Sequence, residues 1–312
     1  MLKRFNKINV ERKSIFGAPP ELQGPIYFYG KVGSGKSVSM LSLAQKYHDH
    51  PERRYKIIDL YGGDRKEQNY WCFPSQDSKY WNKVKKFLKL KENGPKQYQV
   101  HLLYPLFANS LPKKLPEHVP NVKSTLFTIP FDSIALEDVM LTTGILSDNS
   151  TAVFNDLINN ITRKDDIADI YFKAKKIVPA KTILWKSFLN PLFDEMLLST
   201  QKSKYNFDIE DEIKDRETIT IICLDFVPKI YQLFIMGWFL RQVNTLLDLG
   251  KVPRRNIVLM RETAEFFKAT DAAIVPERMK VFRSQLSHFI RMGRRGVHIF
   301  CDAQSSSETR GI

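Results

Sequence analysis

Three cysteines in 312 residues are too few for a disulfide framework. Cys72, Cys223 and Cys301 lie far apart, odd in number and at no metal-ligand spacing, and no histidine arrangement accompanies them. Zinc and nucleophilic cysteine chemistry are therefore set aside, and a reducing, cytoplasmic setting is expected. Long apolar runs are also missing. The longest, Tyr231 to Leu240, is closed by Arg241, Gln242 and Asn244 and falls well short of the ~20 residues that span a bilayer. The start of the chain, Met1 to Lys7, is basic without an apolar stretch behind it, so it is no signal peptide. There is no internal repeat and no long low-complexity segment. Acidic residues are in deficit: 34 against 48 Lys and Arg, a formal charge of +14. That balance points to polyanionic partners, nucleic acid ahead of an acidic membrane surface.

What is present begins with a hydrophobic content of 43%, enough for one large α/β domain or two small ones. Residues Gly30, Lys31, Val32, Gly33, Ser34, Gly35, Lys36 and Ser37 form a complete phosphate-binding loop. They follow a short apolar strand, residues 25–29, and precede a predicted helix from Val38 to His48. The residue types suit the chemistry. Glycines let the backbone form a nest of inward N–H groups, and a helix N-terminus adds partial positive charge. Lys36 can reach β- and γ-phosphates, and the Ser37 hydroxyl can ligate Mg²⁺. The loop predicts binding of a nucleoside triphosphate, ATP, with Mg²⁺.

Further strands are predicted at 55–61, near 100–104, at 126–130, 218–225, 256–260 and 296–301. Helical patterns cover 83–91, 136–160, 165–177, 183–198, 229–249 and 276–292, and 202–215 reads as a charged loop. Strands alternating with helices give an α/β fold with a mostly parallel sheet flanked by helices. Residues 1–24 read as an N-terminal arm. Residues 25–312 read as one nucleotide-binding domain with a poorly readable insertion at about 65–215. Trp71, Trp81, Trp185 and Trp238 read as core or interface residues, and His298 as structural. The lysine clusters at 83–91, 113–114 and 173–176 can contact phosphates or form solvated faces.

Ligands of open α/β sheets bind at the carboxyl ends of strands, which singles out Asp59, Asp225, Glu262 and Gln304. A phosphate-loop ATPase needs one acidic residue beside Mg²⁺ and a carboxylate that orients the attacking water. The strand 257–260 leads into Arg261 and Glu262, so an arginine stands where the metal-side acid is expected. Asp225 closes a different apolar run and is a candidate for that acid, although both Asp59 and Asp225 also suit helix caps. Gln304 is placed to contact a γ-phosphate. The Arg291–Gly296 segment offers a guanidinium for a neighbouring subunit's nucleotide or a solvated helix end.

In their order, these segments resemble the HerA/FtsK superfamily of ring-forming ATPases, a RecA-like (ASCE) P-loop NTPase class. Its members include DNA translocases, conjugative and secretion ATPases, and viral genome-packaging ATPases. Four stretches carry the resemblance: 30–37 with 57–63, 218–225 with its helix, 257–267, and 293–304. The resemblance implies Glu262 as catalytic carboxylate, Arg294 as an arginine acting in trans with Arg295 its competitor, and Gln304 as sensor, alongside Lys36. It implies a homo-oligomeric ring, a hexamer, that couples ATP hydrolysis to moving double-stranded DNA without reading sequence. A membrane or portal partner would hold such a motor, since no integral membrane segment is expected. A protein-moving secretion or pilus-type ATPase and a non-hydrolysing ATP-binding ring are the alternatives. The family continues with another strand beyond Gln304, so this chain is expected to be either a pared-down member or incomplete.

Overall fold

The computed structural model describes residues 22, 24–31, 34–52, 54–60, 71, 98–109, 121–162, 164–206, 208–261, 276–291 and 296–303. Its frame is a seven-stranded sheet in the order β1-β9-β8-β2-β7-β3-β4. The strands are β1 (Ile26–Tyr29), β2 (Lys56–Asp59), β3 (Gln99–Pro105), β4 (Val122–Phe127), β7 (Thr218–Ile222), β8 (Asn256–Met260) and β9 (Val297–Ala303). Every pairing among them is parallel. A separate two-stranded ribbon pairs β5 (Ile129–Pro130) with β6 (Leu198–Ser199).

β7 and β8 read as near-continuous apolar runs because both faces of the sheet are covered there. Ile57, Leu102, Ile221, Leu259 and Phe300 face α1 (Lys36–His48), which docks Met40, Leu41, Ala44 and Tyr47 against them. Ile58, Leu103, Ile222, Val258, Ile299 and Cys301 point the other way. There they meet α2 (Leu136–Thr143), α7 (Lys229–Asp248) and α8 (Pro276–Arg291). Burial pushes the Cys301 thiol up, so it stays protonated as a core residue.

Several expectations are revised. The stretch 136–160 is two helices, α2 and α3 (Asp148–Asn160), separated by Gly144 and a Ser147 cap that accepts from the Ser150 N–H. The helix expected from residue 165 is α4 (Ile167–Ile177), begun by an Asp166–Asp169 capping box. The pattern at 183–198 becomes a π-helical turn at Trp185–Leu189, α5 (Asn190–Asp194) and then β6. The charged loop at 202–215 contains α6 (Ile209–Lys214), whose first N–H groups are taken by Asp208 Oδ1. Charge had masked a cap followed by two buried isoleucines, Ile209 and Ile213.

The weakly readable segment is not a separate body where it is described. β3 and β4 extend the main sheet, and Phe127, Phe131, Phe154, Phe188 and Leu198 share one core with Ile58, Leu103 and Val258. Arg241 of α7 ties this region down: its guanidinium grips the buried Asp138 carboxylate and donates to the Ser133 carbonyl. Trp71, Trp185 and Trp238 are buried as expected, and the Trp238 indole N–H donates to Ser133 Oγ at 2.9 Å. Trp81, Cys72, the helix at 83–91 and Lys113–Lys114 lie outside the described residues, as does most of the arm 1–24.

Candidate nucleotide site

The loop at 30–37 leaves β1 at its carboxyl end and enters α1, the site position that a parallel sheet offers. Gly35 caps the helix with φ 83°, a left-handed conformation that L side chains rarely adopt. A Cβ on Gly30 would meet Ser34 Oγ at 2.4 Å, so the loop's two ends close tightly. The Ser34 N–H donates to the Lys31 carbonyl at 3.1 Å, and Lys36 Nζ curls back to the same carbonyl at 3.3 Å. No acidic residue stands in the first turn of α1, so its N–H dipoles are not countered there. Val32 and Gly33 of the same loop lie outside the described residues.

Below the loop the sequence reading missed a residue. Ser37 Oγ donates to Asp302 Oδ2 at 2.8 Å, and Asp302 is 2% exposed. Asp302 sits on β9, directly beside β1, in register with Phe28. Its signal was available: an aspartate within a largely apolar strand is a costly residue to bury without a task.

Beside it, Arg261 stands one residue past the register pair Met260↔Cys301, hence next to Asp302. By alternation Asp59, Arg261 and Asp302 share the sheet face that α1 covers, with Ile57, Leu259 and Phe300 beneath them. The Arg261 guanidinium turns to the Asp59 carboxylate on β2, and both are buried, at 1% and 0% side-chain exposure. The row therefore reads acid, cation, acid across β9, β8 and β2. Its hydroxyl and carboxylate oxygens are hard ligands that suit Mg²⁺ shared with phosphate oxygens. Among the described residues no group of three or more His, Cys, Asp and Glu side chains forms a self-sufficient metal cage.

Asp225, the acid expected to join Ser37 at the metal, is not brought to it. Its strand, β7, is four positions from β1, about 19 Å at the usual strand spacing. The turn after β7 leans further away, because Phe226 stacks on Tyr104 of β3 at 5.7 Å. Asp225 is exposed there. Asp59 is buried and paired with Arg261. Glu262, Arg294, Arg295 and Gln304 lie outside the described residues; Glu262 follows Arg261 directly, and Gln304 follows the last residue of β9.

The opposite, amino end of the sheet is built differently. Lys56, fully buried, donates to the carbonyls of Asp215 at 2.9 Å and Thr218 at 2.7 Å and faces Glu212 at 3.5 Å. His101 Nδ1 contacts Glu212 Oε2 and His101 Nε2 contacts Thr125 Oγ1, each at 2.8 Å. Burial pushes the Glu212 carboxyl up, but His101, Lys56 and Thr220 outweigh it and hold the group at about 2. Burial also lowers Lys56. Nearby, Arg216 donates to the carbonyls of Arg54 and Arg254. The N–H groups of Arg255 and Asn256 reach the Gly296 carbonyl at 2.8 and 2.7 Å. Gly296, the residue after Arg295, thus enters β9 at the end of the sheet away from the phosphate loop.

No family model matches the chain, and no curated protein matches it either. No helix among the described residues is long and apolar enough to cross a membrane.

Proposed function

We propose that this chain is an ATP-driven nucleic-acid motor of the HerA/FtsK type, translocating or packaging double-stranded DNA as an oligomeric ring. The observation that carries the nucleotide reading is the closed loop at the carboxyl end of β1, with Gly35 left-handed at the head of α1 and Lys36 and Ser37 in its first turn. ATP phosphates would be held by the N–H groups of residues 30–37 and by Lys36, with Mg²⁺ at Ser37. The metal, when bound, draws charge from the β- and γ-oxygens. Glu262, one residue beyond Arg261, is assigned the orienting of water, and Gln304 the contact to the γ-phosphate.

Two features support a ring acting on DNA. The +14 charge favours a polyanion held through its backbone. The resemblance to that family assigns Arg294 to a neighbour's nucleotide, as a guanidinium acting in trans. A head-to-tail ring or filament makes that meeting.

One observation favours a second reading. The place expected for a metal-side acid holds Arg261, locked to Asp59. A ring that binds ATP and does not hydrolyse it fits such a site. Glu262→Gln separates the two. A motor loses turnover and keeps ATP affinity, whereas a non-hydrolysing ring has no turnover to lose. If Lys36→Ala leaves nucleotide affinity intact, both readings fall.

A further inference from the structure

We infer that Asp302 is the metal-side carboxylate of this site, moved from the end of β8 to the neighbouring strand β9, and that the Arg261–Asp59 pair is the charge exchange that accompanies the move. The inference rests on the nucleotide-binding reading and adds to it a residue that the sequence pattern assigned elsewhere. The ligand is a divalent cation of the Mg²⁺ class, bound together with the nucleotide.

Three observations carry it. Asp302 already holds the loop's metal-ligating hydroxyl: its Oδ2 accepts from Ser37 Oγ at 2.8 Å. It does so from within a strand, 2% exposed, a position in which a carboxylate needs a compensating cation or donor. Third, the register leaves β8 no room for the same task. Arg261 lies beside Asp302, one residue beyond Met260↔Cys301. A guanidinium there repels a divalent cation, unless its charge is answered on the far side. Asp59 answers it, across β2. The three side chains together carry one net negative charge, the same as a single acid facing the metal. The exchange also explains why an arginine is tolerated at the end of β8: it pairs with Asp59, a carboxylate buried at 0% exposure.

The test is a titration of a fluorescent ATP analogue into the full chain, in EDTA and then over rising MgCl₂, with Asp302→Asn, Asp302→Cys and Asp225→Asn alongside. Asp302→Asn is expected to keep the metal-free affinity within about twofold and to raise the Mg²⁺ concentration for half-maximal tightening at least tenfold. Asp302→Cys is expected to show the same defect with Mg²⁺ and to recover with Mn²⁺ or Cd²⁺, which accept a thiolate ligand. A merely structural aspartate gives no such metal-selective recovery. Asp225→Asn is expected to leave the Mg²⁺ dependence where it was. An unchanged Mg²⁺ dependence in Asp302→Asn overturns the assignment. So does a loss of affinity in EDTA by both Asp302 variants, which would make Asp302 a brace for the loop. Failure of the unaltered chain to bind the analogue at all overturns the nucleotide reading, and this inference with it.

Discussion

Arg261 and Asp59 form a buried ion pair between the ends of β8 and β2, each side chain at most 1% exposed. Breaking such a pair strands a charge in the core. Asp59→Ala is expected to destabilise the fold by about 3–5 kcal/mol. The double replacement Asp59→Leu with Arg261→Met is expected to recover most of that loss, because a well-packed apolar pair of similar volume replaces a desolvated one. Denaturant unfolding of the two variants checks this. Equal destabilisation of both would mean that the charges are not the issue.

The phosphate loop makes a prediction that separates binding from folding. A methyl group on Gly30 collides with Ser34 Oγ, so that hydroxyl must rotate away within the phosphate loop. Gly30→Ala is expected to weaken nucleotide affinity at least tenfold, ~1.4 kcal/mol, with thermal stability nearly unchanged. Lys36→Ala loses affinity by removing charge instead, so its defect shrinks as salt rises, whereas that of Gly30→Ala does not. Calorimetric titration at two salt concentrations distinguishes them.

The amino end of the sheet sets an acid limit. Glu212 titrates at about 2 in the fold against 4.5 in the open chain, through its bonds to His101 and Thr220 and the nearby Lys56. A depressed carboxylate contributes stability that is complete above the open-chain value and is lost as pH falls through the folded one. Unfolding free energy should therefore drop between pH 4.5 and about 2, and Glu212→Gln should flatten that part of the profile. A wild-type slope retained in Glu212→Gln would move the effect to other carboxylates.

Much of the fold was legible because β7 and β8 are buried on both faces and so appear as near-continuous apolar runs beside clear helix patterns. The phosphate loop was legible because its glycines and Lys-Ser pair are contiguous. Asp302 was not, since its importance comes from a contact across 265 residues that no local pattern announces. That Asp225 lies far from Ser37 was hidden for the same reason. Strand order decides which strand ends are neighbours, and nothing in the sequence said that four strand positions separate β7 from β1. α6 was lost to its charge, although Asp208 and the spacing of Ile209 and Ile213 were visible.

If subunits share their sites, two dead variants complement each other. Lys36→Ala cannot hold nucleotide yet still offers Arg294, and Arg294→Ala does the reverse. Each alone is expected to lose at least 90% of turnover, on the order of 1.4 kcal/mol or more. Mixtures should regain measurable activity, because some interfaces then combine an intact loop with an intact arginine. Mixtures as inactive as their components would place the arginine's action within one chain.

The central claim is an ATP-driven motor on DNA, and the direct measurement is ATP hydrolysis by the purified chain with Mg²⁺, with and without double-stranded DNA, at low and moderate salt. The account predicts turnover that DNA stimulates and that loses this stimulation as salt rises, since phosphate contacts weaken with counterion concentration. Turnover indifferent to DNA at both salt concentrations would contradict the DNA motor and favour a protein-moving ATPase. ATP bound without turnover would contradict the motor altogether and leave the non-hydrolysing ring.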